Sequence, residues 1–335
     1  MHLALVTDAW YPQVNGVVRT LDTVTGLLRQ DGHDITILSH EGFRTVPLPT
    51  YPEIRIALLP YRRLSRLLDE AAPQAIHIAT EGPVGFAAWR YCRRRGYPFT
   101  TAYHTRFPEY VAARLPLTLA PTYRMVRGFH SSAVRTMVAT PTLRSELQDR
   151  GFGNLVEWGR GVDVDLFRPR PQAERDFLGL KRPIWLYVGR VAVEKNIRAF
   201  LDLDLEGSKL VVGGGPQLEQ LRRDYPDACF VGPKYGEDLA RHYAAGDVFV
   251  FPSLTDTFGL VMLEALASGV PVAAFPVTGP LDVIADAPIG RLDRDLGAAA
   301  RAALGIPAEA CRAFALQRSW RRSADQFFSA LAPFR

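Results

Sequence analysis

The chemistry of this chain starts from two cations five residues apart, Arg190 and Lys195, in Gly189-Arg190-Val191-Ala192-Val193-Glu194-Lys195-Asn196. The segment follows an apolar run and leads into a helical one. A loop of that kind can aim both charges at one diphosphate, Arg190 as a planar fork and Lys195 as a point charge. Two carboxylates come later, in Pro252-Ser253-Leu254-Thr255-Asp256-Thr257-Phe258-Gly259-Leu260-Val261-Met262-Leu263-Glu264-Ala265-Leu266. Asp256 stands before a helical stretch, and Glu264 lies eight residues on, among Leu260, Val261, Leu263, Ala265 and Leu266. A carboxylate set in so apolar a helix needs hydrogen-bonding partners, and ribose or sugar hydroxyls would serve. Asp256 on its own also reads as a helix cap.

Three further places merit attention. Gly213-Gly214-Gly215-Pro216 follows another apolar run, and glycines let a backbone come close to a ligand or turn sharply into a helix. Near the start, Asn15-Gly16-Val17 lies at the mouth of a helical stretch, where free N–H groups and the helix dipole favour an anion. The GxGxxG fingerprint is absent there, which argues against a nicotinamide cofactor. His104 closes an apolar run and opens Thr105-Arg106-Phe107-Pro108; it reads as a structural histidine or as a group facing a reacting centre. The Asp-x-Asp triplets Asp163–Asp165, Asp202–Asp204 and Asp293–Asp295 have a spacing that can hold a divalent ion. None sits at a clean strand end, so all three are read as structural or exposed, and no metal ligand is assigned.

The elements that must position these groups are legible as short β-branched runs separated by helical stretches. One series comprises Leu3–Asp8, Asp34–Ser39, Ala75–Thr80, Phe99–His104 and Arg135–Thr140. A second comprises Ile184–Gly189, Lys209–Gly213, Cys229–Gly232, Val248–Ser253 and Pro271–Pro276. Nearly continuous apolar strands alternating with helices predict parallel sheets covered on both faces, hence two doubly wound α/β domains in tandem. Ligands of such sheets bind beyond the carboxyl ends of the strands, which is where the residues above fall. In the first connecting helix, Val17, Leu21, Val24 and Leu28 share one face. The prolines of Phe167–Pro171 predict the boundary, giving domains 1–170 and 171–318, and Trp320, Phe327, Phe328 and Leu331 predict a packed helix over 319–335.

The 335 residues suit two domains of ordinary size. Cys92, Cys229 and Cys311 are unpatterned, which argues against a disulfide framework or a zinc site. No run of apolar residues is long enough to span a membrane, and the N-terminal MHLALVTDAWYP reads as a buried strand without a basic leader, so a cytoplasmic location is expected. Charge is uneven: residues 1–170 carry 21 Lys+Arg against 15 Asp+Glu, and residues 171–335 carry 19 against 20. The basic half includes Arg62, Arg63 and Arg66 among Leu64, Leu67 and Leu68. It also holds Trp89, Tyr91 and Arg93–Arg95, and Arg114 with Leu115, Leu117 and Leu119. Such stretches fit the surface of an anionic membrane or ordinary helices with arginine-rich outer faces. No nucleic-acid module accompanies them.

Together these positions resemble family 4 of the retaining GT-B glycosyltransferases, over nearly the whole chain. The most specific match is Asp256–Glu264, similar to that family's E-x7-E element with aspartate as its first acid. Gly189-Arg190 with Lys195, Gly213–Pro216, Arg160-Gly161-Val162-Asp163 and Asn15–Leu21 also match, the last with one glycine where many relatives have two. Tyr103-His104-Thr105 and Pro108 resemble the lipid-glycosylating and α-mannosyltransferase-like branch. The resemblance implies two Rossmann-like domains facing a central cleft, the first binding acceptor and the second the nucleotide-sugar, with the last helix packing back on the first. It implies a nucleoside-diphosphate sugar as donor (GDP-mannose or a UDP-hexose), a lipid or glycan hydroxyl as acceptor, and no cofactor or metal. Arg190 and Lys195 would hold the diphosphate and Glu264 the ribose, with Leu260, Val261 and Gly214 also on the nucleotide. Asp256 would hold the sugar hydroxyls, Gly16 would lend backbone to the phosphate region, and His104 would contact the sugar. A sugar-nucleotide epimerase or hydrolase, and a non-catalytic sugar-nucleotide binder, are the alternative readings.

Overall fold

A computed structural model describes residues 1–13, 15–48, 51–106, 108–109, 119–285 and 287–334. The chain divides into two compact units, Met1–Arg160 with Trp320–Arg335, and Gly161–Ser319.

The first unit contains β1 (His2–Val6), β2 (Asp34–Leu38), β3 (Thr45–Leu48), β4 (Tyr51–Ala57), β5 (Ala75–Ile78), β6 (Thr100–Tyr103), β7 (Arg135–Val138) and β8 (Leu155–Glu157). Six of these form a parallel sheet in the order β2-β1-β5-β6-β7-β8, and β3 and β4 pair separately as an antiparallel hairpin. The helix Gly16–Gln30 buries Val18, Leu21, Val24 and Leu28, and half-buried Val17 packs against the same core as Leu21, Val24 and Leu28, as expected. Covering the same face, the helix Trp320–Ala330 sinks Ala324 and Phe327 among Leu3, Leu5, Leu21 and Trp158. Burying Phe327 completely contributes roughly 1.5–3 kcal/mol.

The second unit contains β9 (Ile184–Val188), β10 (Ser208–Val212), β11 (Cys229–Gly232), β12 (Val248–Phe251), β13 (Val272–Ala274) and β14 (Gly290–Leu292), all parallel, in the order β11-β10-β9-β12-β13-β14. That is the doubly wound order 3-2-1-4-5-6. Ile184 through Val188 and Val248 through Phe251 are buried throughout, as strands covered on both faces require.

All ten strands expected from the sequence are present, with ends that differ by at most two residues and Cys229–Gly232 unchanged. The change of unit falls at Gly161, ahead of the proline-rich stretch. Val162 and Phe167 belong to the core of the second unit, and Arg312 ties the strap between them by donating to the carbonyls of Val164 (2.8 Å) and Phe167 (2.7 Å). The prolines mark the end of that strap, not the boundary.

Candidate functional site

In the second unit the strand order reverses between β9 and β12, the place where doubly wound sheets bind ligands. The loops leaving these two strands carry the residues singled out above. After β9, the Tyr187 hydroxyl donates to the Arg190 carbonyl at 2.8 Å and pins the start of the loop. Lys195 ends a short 3-10 turn, Val193–Lys195, and its Nζ lies 2.5 Å from Asp256 Oδ1 in the loop after β12. Asn196 follows at φ +52°, a left-handed conformation that asparagine tolerates, and its Nδ2 donates to the Pro252 carbonyl at 3.1 Å. The two loops are therefore stitched together by an ion pair and a hydrogen bond. Asp256 is not a helix cap: the capping position belongs to Gly259 at φ +87°, and the Asp256 carboxylate faces Lys195.

In the triple glycine after β10, two of the glycines serve packing between loops. A Cβ on Gly213 would stand 1.8 Å from the Gly189 carbonyl oxygen, and one on Gly215 would stand 2.4 Å from that of Val191. Those two glycines let the β9 and β10 loops press together, and the Val191 amide donates to the Gly214 carbonyl at 2.8 Å. Gly214 itself has room for a side chain, its nearest neighbour being Pro233 at 3.6 Å.

Glu264 lies in the helix Leu260–Ala267 and is 4 % exposed, and Tyr243, from the preceding helix Gly236–Ala245, donates its hydroxyl to Glu264 Oε2 at 2.7 Å. Tyr243 is a site residue that the sequence reading missed; no spacing rule links it to Glu264, since the pair forms only when the two helices pack. Leu260 and Val261 occupy the first turn, behind a cap with no side-chain acceptor. The amides of such a turn are open to an acceptor from outside the helix.

In the first unit, Asn15 caps the helix Gly16–Gln30, accepting from the amides of Val17 and Val18 at 3.0 Å each. The cap takes two of the amides that an anion near Gly16 would use. Asp8, just after β1, is bonded in turn by the amides of Val84 (2.8 Å) and Gly85 (3.1 Å) and by the Thr80 hydroxyl (3.0 Å). Burial raises its pKa against the pull of those donors. Asp8 thus caps the helix Pro83–Arg95, a structural role that position alone does not reveal.

His104 is buried immediately after β6, and the Arg160 Nη2 lies 3.4 Å from its Nδ1. Burial first, then the charge of Arg160, holds the imidazole well below its ordinary pKa, so the ring is neutral at pH 7.

The aspartate triplets serve turns and helix starts. Asp163 accepts from the amides of Asp165 and Leu166, Asp295 from those of Gly297 and Ala298, and Asp202 from the Tyr225 hydroxyl. Among the described residues no group of three or more His, Cys, Asp or Glu is arranged to hold a metal ion. A concavity of about 510 Å³ opens at the other end of the second unit's strands. There Arg175 and Arg182 converge on Asp247 Oδ1 at 2.9 and 2.6 Å, an internal ion-pair seam. Of the basic stretches in the first half, Arg114, Leu115 and Leu117 lie outside the described residues. Leu64, Leu68 and Tyr91 are core, while Arg90 and Arg93 stack on Tyr61 and Trp89 at 4.8 Å each. No helix among the described residues is long and apolar enough to cross a membrane.

Comparison with known proteins agrees with this geometry. The family model described as Glycosyltransferase Family 4 matches residues 14–166, and that described as Glycosyl transferases group 1 matches residues 182–306. The chain is 32 % identical to a GDP-mannose-dependent alpha-mannosyltransferase of Mycobacterium tuberculosis, over 85 % of this chain and 81 % of that one. It is 28 % identical to an alpha-monoglucosyldiacylglycerol synthase of Streptococcus pneumoniae, over 91 % of this chain and 78 % of that one. Among solved structures, sucrose-phosphate synthase from Thermosynechococcus elongatus superposes with a TM-score of 0.78 at 20 % identity, covering 98 % of this chain and 97 % of that one, which shows the GT-B fold. With paired doubly wound units, the loops of β9 and β12 joined through Lys195 and Asp256, and relatives this similar, the chain belongs to glycosyltransferase family 4 and is a retaining glycosyltransferase.

Proposed function

We propose that the chain moves a hexose, mannose in the first instance, from a nucleoside-diphosphate sugar to a hydroxyl of a lipid or glycan. The second unit would hold the donor and the first unit the acceptor. The observation that carries this reading is the junction of the β9 and β12 loops, where Lys195 meets Asp256 at 2.5 Å, with Glu264 in the helix that follows. Departure of the nucleotide from the anomeric carbon builds negative charge on the β-phosphate. Arg190 and Lys195 offset it, helped by the amides at Leu260 and Val261. Glu264, already steadied by Tyr243, accepts from the ribose hydroxyls, and Asp256 accepts from those of the sugar. Membership of this retaining family implies front-face substitution, the departing phosphate taking up the acceptor proton, with no carboxylate pair flanking the bond as in glycosidases. Mannose and a lipid acceptor are favoured by the names of the mycobacterial and streptococcal relatives.

A surface in the first unit supports contact with an anionic membrane. Leu58 and Leu59 are 49 % and 95 % exposed, next to Tyr61, on which Arg90 and Arg94 stack. Exposed leucines beside stacked guanidiniums suit the boundary between headgroups and acyl chains. Flotation with vesicles containing anionic lipid should carry the protein upward at low salt and release it at high salt; absence of flotation with either composition removes the membrane contact. The donor assignment is tested by thermal unfolding with a panel of nucleoside diphosphates and their sugars. A raised midpoint with GDP and GDP-mannose is expected, whereas no shift with any nucleotide would overturn the reading.

A further inference from the structure

Arg160 is a buried cation in unusual company. Its Nη1 donates to the carbonyls of Trp158 (2.6 Å) and Gly159 (3.3 Å), and its guanidinium lies 4.3 Å from the centre of the Trp158 ring. Its remaining described contact is His104 Nδ1, 3.4 Å from Nη2; no carboxylate faces it among the described residues. A guanidinium has five N–H groups and no lone pair to offer, so it can only donate. The histidine nitrogen opposite it must accept, and the ring proton must sit on Nε2.

Everything around Arg160 is tied down. The Trp158 indole N–H donates to the Ser323 carbonyl at 3.0 Å and to its hydroxyl at 3.1 Å, and the Gly159 amide donates to Gln326 Oε1 at 2.9 Å. Both partners come from the helix Trp320–Ala330. The edge of His104 also packs against Trp158, with ring centres 5.5 Å apart. Titratable groups on other elements that act on His104 are His77 on β5 and His130 at the end of the helix Leu119–His130. Both act in the same direction as Arg160, disfavouring a charged ring.

We propose that Arg160 is a positioning residue that fixes the His104 imidazole as the neutral Nε2–H tautomer, so that the ring presents a donor, and not a lone pair, on its side away from Arg160. The inference rests on the reading above in which His104 contacts the transferred sugar. It deepens that reading by making a sugar hydroxyl oxygen the acceptor of the Nε2–H bond. A ring with its proton on Nδ1 would offer a lone pair there instead and could only accept from the hydroxyl, which would have to turn its proton toward the ring.

Two measurements separate the inference from the reading beneath it. The first needs no variant of Arg160. In full-length protein labelled with ¹⁵N-histidine at pH 7, the His104 signals, assigned by their loss in His104→Gln, should show a lone-pair Nδ1 and a protonated Nε2. A protonated Nδ1, or two averaged nitrogens, overturns the proposal. The second is a double-mutant cycle on turnover with Arg160→Met and His104→Ala. Arg160→Met alone should lower kcat at least about tenfold, with Arg160→Lys partly restoring it, and should add little in the His104→Ala background. If His104→Ala is slow and Arg160→Met is normal, or if the two losses multiply, Arg160 does not act through His104 and the inference falls. If His104→Ala is itself normal, the sugar contact falls and the inference with it, even where the tautomer is as described.

Discussion

Removing Lys195 should weaken nucleotide binding, and removing its partner as well should restore part of the loss. The reason is the 2.5 Å contact between Lys195 Nζ and Asp256 Oδ1. A phosphate oxygen bonded to the same ammonium at about 2.8 Å lies at most about 5.3 Å from that carboxylate. Two negative charges at about 5 Å repel by roughly 3 kcal/mol at an effective dielectric of about 20, and by somewhat under 1 kcal/mol in bulk water. The two side chains are 20 % and 16 % exposed, so a value of about 1–2 kcal/mol, 5- to 30-fold in affinity, is reasonable. In Lys195→Met that repulsion is unshielded and adds to the loss of a charged hydrogen bond, itself about 1.5–3 kcal/mol. Lys195→Met with Asp256→Asn still loses the hydrogen bond, but with the carboxylate neutralised no repulsion is left to shield. Titration calorimetry with a nucleoside diphosphate, free of sugar so that Asp256 makes no hydroxyl contact, should rank wild type above the double variant and the double variant above Lys195→Met. A double variant no tighter than the single one refutes the shared contact, and wild-type affinity in Lys195→Met refutes the diphosphate role.

Tyr243→Phe should leave Glu264 buried without its phenol, lowering stability by about 1–3 kcal/mol in denaturant unfolding and weakening nucleotide binding; an unchanged midpoint and affinity contradict this. Gly213→Ala should disrupt the β9–β10 loops, because its Cβ meets a backbone oxygen at 1.8 Å, whereas Gly214→Ala should be tolerated; equal nucleotide affinities in the two variants contradict the packing argument. His77 is buried and its pKa is pushed down to about 3 by that burial, so below pH 6.5 the unfolded chain binds the proton and the folded one does not. Stability should therefore fall with pH from 6.5 toward 3, by about 2 kcal/mol at pH 5 from this group, and His77→Gln should show a shallower fall between pH 7 and 5. Identical slopes would refute it.

The sequence reads well where chemistry and burial coincide and poorly where geometry is made by packing. Ile184–Val188 and Val248–Phe251 are apolar runs because they are covered on both faces, so both the strands and their carboxyl ends could be placed. Arg190, Lys195, Asp256 and Glu264 were picked out for standing after such runs or, for Glu264, for being an acid in an apolar helix. The hairpin β3–β4 and the three-residue strands β8 and β14 were missed, since three residues such as Leu155–Glu157 carry no periodicity. Partners supplied by distant segments were also missed: Tyr243 for Glu264, Arg160 for His104, and Val84 and Gly85 for Asp8. The run of three glycines does not itself show that Gly213 and Gly215 meet neighbouring backbone while Gly214 does not.

A crystal structure with a nucleoside diphosphate bound tests the placement of the donor most directly. The account predicts phosphate oxygens on Arg190 and Lys195 and ribose hydroxyls within about 3 Å of Glu264. Phosphates resting instead against Arg90, Arg93 and Arg94, with Glu264 bonded only to Tyr243, would contradict it.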